Sequence, residues 1–340
     1  MRRNKAGRLL ACLALLAALP LCAGAAAADP LTIRVGWSTM PGHLIPVLFA
    51  KPAILEHYGK SYTVQTTLFQ GSSPQITAMA AREVDLVAYS PATLALTILN
   101  AKIDVRAVAD IIQDGAPGYH SETFLVRADS GIKSIADLKG KRLATNAIGS
   151  ASDTAMRAAL KRNGIDSKDV TTIEAAFPTM HALLDEKKVD MTVILLPDLL
   201  SMQASGKYTS LFTAADGWGR TQFVFLAGRG AFLDQNREVL EDFMEDYVRA
   251  RRWFVDASNR AEAVDIIASF MKADPKTLDY VFTKDDYFRD PYGKPDLAAL
   301  QSAIDVSAEL GVIPGRIEVK PKYADTSFVD EAERRIKAAN

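Results

Sequence analysis

From Leu31 onward, short runs rich in β-branched and aromatic residues alternate with stretches whose apolar positions recur at helical spacing. "LTIRVGW" reads as a strand, and "HLIPVLFAKPAILEHYG" as a helix interrupted by prolines. "YTVQTTLF" and "VDLVAY" are further strands, followed by the helical "GSSPQITAMAARE" and "SPATLALTILN"; "VRAVADII" closes the run. Strands alternating with helices predict a mostly parallel sheet covered on both faces.

After Gly140 the same order returns. "KRLATN", "VTTIEAA", "VDMTVILL" and "TSLFTA" read as strands, separated by the helical "SASDTAMRAALKRNG", "PTMHALLDEKK" and "PDLLSMQASG". The best internal match sets "ITAMAAREVDLVAYSPATL" against "MHALLDEKKVDMTVILLPDLL", with Asp85 opposite Asp190 and Pro91 nearly opposite Pro197. The shared order reads as an internal repeat, hence two α/β lobes. From Asn236 the pattern is helical, with Val239, Leu240, Phe243, Met244, Tyr247 and Val248 on one apolar face. The basic "RARRW" that follows reads as a helix end facing water. "AEAVDIIASFMK", "LAALQSAIDVSAELG" and "FVDEAERRIKAA" predict further helices.

The junctions carry the first hint of chemistry. Ser73-Pro74 and Ser90-Pro91 each follow a strand directly and read as an N-cap with proline at the first helical position. Ser152-Asp153 has the same place in the second half, with an acidic first residue. Ligands of open α/β sheets bind outside the carboxyl ends of the strands. Two facing lobes would close several helix N-termini, which favour anions, around one small molecule.

Residues 1–28 read as a secretory signal. Arg2, Arg3, Lys5 and Arg8 precede the apolar "LLACLALLAALPLCA", and Ala26-Ala27-Ala28 offers a cleavage site before Asp29. Taking 28 residues from 340 leaves 312, a length that favours two lobes over one core. Cys12 and Cys22 both lie in this signal, in poor context for lipidation, so the processed chain has no thiol nucleophile, disulfide or thiolate metal site. Removing four basic residues and no acidic one from 40 against 41 gives a net charge of −5, which does not point to nucleic acid.

With these pieces in place the chain resembles the periplasmic substrate-binding components of ABC importers in the sulfonate, taurine and nitrate group. The resemblance rests on "LTIRVGW", "FQGSSPQITAMAAREVDLVAYSPATLAL", "DSGIKSIADLKGKRLATNAIGSASDTAMRAALKRNGI", "HALLDEKKVDMTVILLPDLL" and "AELGVI", and "IKSIADLKGKRLAT" after "TFLVRADS" is its most specific part. It implies the type II periplasmic binding protein fold: two α/β lobes joined by two crossing strands, with a ligand cleft between them. The crossings are expected near Glu122 to Val126 and Gln222 to Leu226, giving residues 29–126 and 219–340 to lobe 1 and 127–218 to lobe 2. It also implies a periplasmic monomer that captures a small organic anion by lobe closure and delivers it to a membrane permease and its ATPase. Nitrate or bicarbonate, a neutral thiamine-type pyrimidine, or a sensor role for a membrane kinase are the alternatives.

Strand-end logic names the candidate ligand-binding residues. Lobe 1 offers Trp37, Ser38 and Thr39, then Gln70, Gly71, Ser72 and Ser73, then Tyr89 and Ser90; lobe 2 offers Asn146, Gly149, Ser150, Ala151 and Ser152. Gly71 and Gly149 let backbone amides approach a ligand. His120 in "GAPGYHSETF" is a further candidate, whereas His43 is expected to face solvent or a helix end. Arg220 in "GWGRTQ" is read either as an anion partner or as a hinge salt bridge. Trp37, Tyr89, Tyr119 and Trp218 near the expected cleft suit an organic anion with an apolar body. No catalytic residue, cofactor or metal is expected. The chain holds no Gly-x-Ser-x-Gly, His-Glu-x-x-His or Walker loop. The cysteine-rich motif of thiamine-pyrimidine synthases, which share this fold, finds no counterpart in the processed chain.

Overall fold

The computed structural model describes residues 29–339; the signal segment lies outside the described residues. Lobe 1 begins with β1 (Leu31–Trp37), a four-residue α1 (Ile45–Leu48), β2 (Tyr62–Leu68), α2 (Pro74–Ala80), β3 (Leu86–Tyr89), α3 (Pro91–Leu99) and β4 (Val105–Asp114). The prolines at 46 and 52 break the predicted first helix into α1 and a separate 3-10 turn at Pro52–Ile54. The chain then passes to β5 (Thr123–Arg127), β6 (Arg142–Thr145), α4 (Ala151–Arg162), β7 (Thr171–Glu174), α5 (Phe177–Asp185), β8 (Met191–Ile194), α6 (Asp198–Ala204) and β9 (Tyr208–Thr213). It returns through α7 (Ala214–Trp218) to β10 (Thr221–Arg229), α8 (Gly230–Gln235), α9 (Arg237–Val255), α10 (Arg260–Met271), α11 (Leu297–Glu309) and α12 (Ser327–Ala338).

Two five-stranded mixed sheets result, ordered β2-β1-β3-β10-β4 and β7-β6-β8-β5-β9. In each, four strands run parallel and one antiparallel strand is inserted between the third and the last, β10 in the first sheet and β5 in the second. The inserted strand is the first one after a crossing. Residues 123–126, expected in the first crossing and placed with lobe 1, are therefore a strand of the second sheet, and the connections run through 115–122 and 214–220. The connections touch. The Ala215 amide donates to Ser121 Oγ at 3.2 Å, the Ala214 amide to the Glu122 carbonyl at 2.8 Å, and a Cβ on Gly115 would lie 2.9 Å from the Gly219 carbonyl oxygen.

Period-2 alternation sorts the lobe 1 sheet into two buried faces. Ile33, Val35, Leu86 and Ala88 join the core that runs under α1 and α9, while Val87, Tyr89, Val105, Ala107 and Phe225 pack on the α3 and α11 side. The helices predicted after Asn236 are present, but 279–296 is a largely irregular segment that returns to the crossings. The "RARRW" run departs from its expected exposure. Arg251 is buried, paired with buried Asp110, and donates to the Ile111 and Asp290 carbonyls, tying α9 to β4 and the irregular segment.

Candidate functional site between the lobes

The carboxyl ends of both sets of parallel strands meet at one seam. The β2–α2 turn of lobe 1 faces the β6–α4 turn of lobe 2: Gln70 Nε2 donates to the Asn146 carbonyl, and Asn146 Nδ2 returns a bond to the Gln70 carbonyl at 2.9 Å. The Ser73 amide and hydroxyl reach Ser150 Oγ at 3.1 and 3.0 Å, and Thr93 Oγ1 donates to the Gly149 carbonyl at 3.2 Å. A Cβ on Gly71 would lie 2.4 Å from Asn146 Nδ2 and from Ser150 Oγ of the other lobe, so a side chain here would displace both.

Beneath the seam lies a cavity of about 50 Å³ between the two lobes. Lobe 1 supplies Ser38, Thr39, Met40, Pro41, Gly42, His43, Ser72 and Ala88, and lobe 2 supplies Asn146, Ser150, Ala151, Ser152, Phe177, Leu195 and Leu196. The floor comes from Glu122 of the first connection, Phe223 and Val224 of β10, and Tyr280, Asp286 and Tyr287 of the irregular segment. An outer groove of about 680 Å³, lined by Trp37, Leu68, Phe69, Gln70, Pro178 and Met271 among others, shares Ser38, Thr39, Met40, Phe177 and Leu195 with the inner cavity. The inner cavity thus sets a few hydroxyl, amide and carboxyl groups among apolar side chains, and it borders an apolar groove.

Of the residues expected from the sequence, Ser38, Thr39, Ser72, Asn146, Ser150 and Ser152 come together on the inner cavity. Gly71, Ser73 and Gly149 lie on the seam, and Trp37 and Gln70 on the outer groove. The other four lie neither on the seam nor on the wall of either space. Tyr89 ends β3 one residue after Ala88, so alternation turns it into the opposite core, where its hydroxyl meets Met79 Sδ at 3.8 Å. Ser90 caps α3, accepting from the Thr93 amide at 3.2 Å, and sits one layer behind Ser72. His120 is packed edge-on against Tyr287, 4.8 Å between ring centres. Arg220 is half exposed and pairs with Asp296 at 3.0 Å and Gln113 at 3.2 Å.

Two caps also differ. Ser73 has helical backbone angles and caps nothing with its side chain; its hydroxyl is committed to the other lobe. α4 begins at Ala151, so Ser152 is its second residue and faces the cavity, while Asp153 closes the turn by accepting from the Gly149 amide at 2.8 Å. Trp218 is buried, its Nε1 donating to Ser307 Oγ at 2.9 Å, and Tyr119 stacks edge-on with Phe288 outside the cavity.

Sequence reasoning missed His43, Glu122, Tyr280, Asp286 and Tyr287. His43 is buried, not solvated; its Nδ1 accepts from the Ser38 amide at 3.3 Å, which leaves the proton on Nε2. Burial, then the Arg289 charge, lowers its pKa to about 3, so it is neutral. Asp286 accepts from Arg289 Nη1 at 2.6 Å and from the Phe282 and Tyr287 amides, and Arg289 Nη2 reaches the Pro41 and Gly42 carbonyls, pinning the irregular segment to the β1–α1 turn. Burial pushes Glu122 up to about 8, opposed by the Ser152 hydroxyl and reinforced by Asp114. Burial likewise raises Asp114 to about 7, against bonds from Ser121 and the Glu122 amide. The only signal for Glu122 was an acidic residue at the foot of a strand after a glycine-rich connection.

A family model described as NMT1/THI5 like matches residues 64–261. The chain belongs to the NMT1/THI5-like family. A protein of Brucella abortus (strain 2308) described as a binding protein is 26% identical over 271 residues, 78% of this chain and 80% of that one. The alkanesulfonate-binding protein SsuA from Xanthomonas axonopodis pv. citri, bound to MOPS, is 20% identical with a TM-score of 0.69, covering 88% of this chain and 100% of that one. The periplasmic nitrate-binding protein NrtA from Synechocystis PCC 6803 is 15% identical with a TM-score of 0.71, covering 91% and 90%. The desulfurization enzyme DSZB also shares the fold, at 16% identity, a TM-score of 0.62 and coverage of 90% and 99%. The NMT1/THI5-like chain thus has the type II binding-protein architecture of these structures. Among the described residues no helix is long and apolar enough to cross a membrane.

Proposed function

We propose that this protein is the periplasmic solute-binding component of an ABC importer, closing its lobes on a small organic solute and presenting it to a membrane permease and its ATPase. The observation that carries the reading is the seam itself: turns at the strand ends of both lobes bond reciprocally through Gln70, Asn146, Ser73 and Ser150 over a shared cavity. Closure is thereby coupled to the chamber's contents, the property a capture protein needs. The solute's polar head occupies the inner cavity with Ser38, Thr39, Ser72, Asn146, Ser150 and Ser152 on its walls, and its apolar body runs past Met40, Phe177 and Leu195 into the outer groove.

A sulfonate or nitrate solute is the second reading. It is favoured by the first turn of α4, whose Ser150, Ala151 and Ser152 face the cavity where helix amides attract negative charge. Thermal denaturation of the processed chain against sulfonates, carboxylates, nitrate, bicarbonate, amines and pyrimidines tests the proposal. A solute at 100 times its dissociation constant adds about 2.7 kcal/mol of stability. At least one compound is expected to raise the melting temperature and, in small-angle scattering, to reduce the radius of gyration. A chain stabilised by none of them would refute solute capture.

A further inference from the structure

Among the described residues, Glu122 is the one cavity residue that belongs to a connection between the lobes, and both of its backbone groups are fixed there. Its amide donates to Asp114 Oδ2 at 2.8 Å, and its carbonyl accepts from the Ala214 amide of the second connection at 2.8 Å. The residue thus sits where the lobes turn about each other, while its side chain reaches the cavity between them. There it is buried against both halves, with Tyr287 of the irregular segment on the lobe 1 side and Ser152 of α4 on the lobe 2 side. Its Oε2 makes no hydrogen bond, and among the described residues no lysine or arginine lines the cavity. A carboxyl taken out of water without a cationic partner is stable only in its neutral, protonated form.

We propose that closing the lobes draws a proton from solution onto Glu122, so that solute capture by this protein is linked to proton uptake. The proposal rests on the lobe-closure part of the capture reading and holds whatever the solute's head. When the lobes part, α4 leaves Glu122 facing water and its carboxylate is solvated. When they close, a carboxylate oxygen takes a proton from the buffer, an O–H bond forms, and the neutral acid is buried in the cavity wall beside the Ser152 hydroxyl.

No group facing Glu122 supplies a charge that would keep it ionised. Asp114 of β4 raises it further, and Asp216 of α7 acts on Asp114 in the same sense. The partners of Asp114 itself, Ser121 and the Glu122 amide, lie on the connection and move with it. Tyr280 and Tyr287 of the irregular segment are phenols held above their usual range by burial. Asp286 is matched by Arg289, whose Nη2 is occupied by the Pro41 and Gly42 carbonyls. Burial keeps His43 of the β1–α1 turn and His120 of the same connection neutral. In the closed arrangement burial therefore pushes Glu122 up to about 8, whereas water returns it toward the ordinary carboxylate range when the lobes part. Between those limits the closed form binds more protons than the open one. Closure is thus most favoured in acid, and its equilibrium constant falls by up to about tenfold per pH unit until the buried group itself ionises.

The two states can be held and titrated separately. Residues 29–340 contain no cysteine, and the Ser73 and Ser150 hydroxyls stand 3.0 Å apart across the seam, so Ser73→Cys with Ser150→Cys supplies a disulfide that locks the lobes together. Carbon-13 NMR of the glutamate-labelled processed chain follows the Glu122 carboxyl, assigned by the signal that Glu122→Gln removes. It is run on the oxidised pair, on the same protein after reduction and on Gly71→Leu, with small-angle scattering reporting which is compact. The carboxyl is expected to titrate near 8 in the oxidised pair and at least about tenfold more weakly in proton affinity in the expanded form. Equal titration in compact and expanded forms, or an ionised Glu122 at neutral pH in the oxidised pair, overturns the proposal. Where the pair does not oxidise, the unmodified chain decides: its radius of gyration is expected to grow as pH rises from acid to alkaline, and that of Glu122→Gln to stay constant. A radius independent of pH, or the same growth in Glu122→Gln, overturns it. No arm uses a solute, so failure here leaves solute capture standing, whereas silence across the solute set of the preceding section would remove capture and leave the proton linkage to this titration.

Discussion

The two lobes are built on the same clamp and finished with different walls. In lobe 1, Asp85 precedes β3 and accepts from the Arg34 amide at 3.0 Å, Nε at 2.9 Å and Nη2 at 2.7 Å. In lobe 2, Asp190 precedes β8 and accepts from the same three groups of Arg142 at 2.9, 3.2 and 3.2 Å. Each aspartate amide returns a 2.8 Å bond to its arginine's carbonyl. The device fixes the register between the first and third strands, so both copies keep it. The far ends of those strands have diverged. β3 leads into Ser90 and Thr93, which join Ser72 of the β2–α2 turn in a hydroxyl cluster under the seam, while β8 leads into Leu195 and Leu196, an apolar flank. Frame and function are separated along each strand: amino ends hold the sheet together, carboxyl ends face the solute.

The sharpest way to break the pairing of lobes is at their seam. Gly71→Leu drives a side chain into Asn146 and Ser150, and is expected to hold the lobes apart and weaken solute binding by about 100-fold, since the closed state is the binding-competent one. Scattering and calorimetry measure both, and an unchanged radius of gyration with unchanged affinity would contradict it. The clamps come next. Asp85 is 4% exposed and Asp190 22% exposed at their side chains, so Asp85→Ala is expected to cost about 3 kcal/mol and Asp190→Ala about 1 kcal/mol in urea unfolding. Equal costs would mean that the two copies are buried alike. The smallest contrast lies within lobe 1. Ser90→Ala removes a working cap and is expected to cost about 1 kcal/mol, whereas Ser73→Ala removes only an interlobe hydroxyl contact and costs about 0.5 kcal/mol or less. Thermal melts of the two variants in the absence of solute separate them.

The repeat was legible because strand and helix periodicities are local, and because Asp85 and Asp190 stand at equivalent points in matched segments. The cavity was legible in part for the same reason: Ser38, Ser72, Asn146, Ser150 and Ser152 all follow a strand, and strand ends share one edge of a parallel sheet. Tyr89 was not placed correctly because a one-residue step in a strand reverses the face a side chain occupies. Ser73 and Ser152 look alike as caps in the sequence, yet the partner of each hydroxyl is set by the opposing lobe. His43, Glu122, Tyr280 and Asp286 carried no local signal, since they come from a loop, a connection and an irregular segment widely separated along the chain.

The sequence by itself determined the alternation of strands and helices, the duplication and the edge where ligand chemistry belongs, because hydrophobic period and turn residues act over a few neighbours. Tertiary structure alone decided which carboxyl is neutralised and which is left unpaired. Arg289 reaches Asp286 within its own segment but not Glu122, and burial between two lobes, a property no single stretch of chain possesses, sets the cost of that difference.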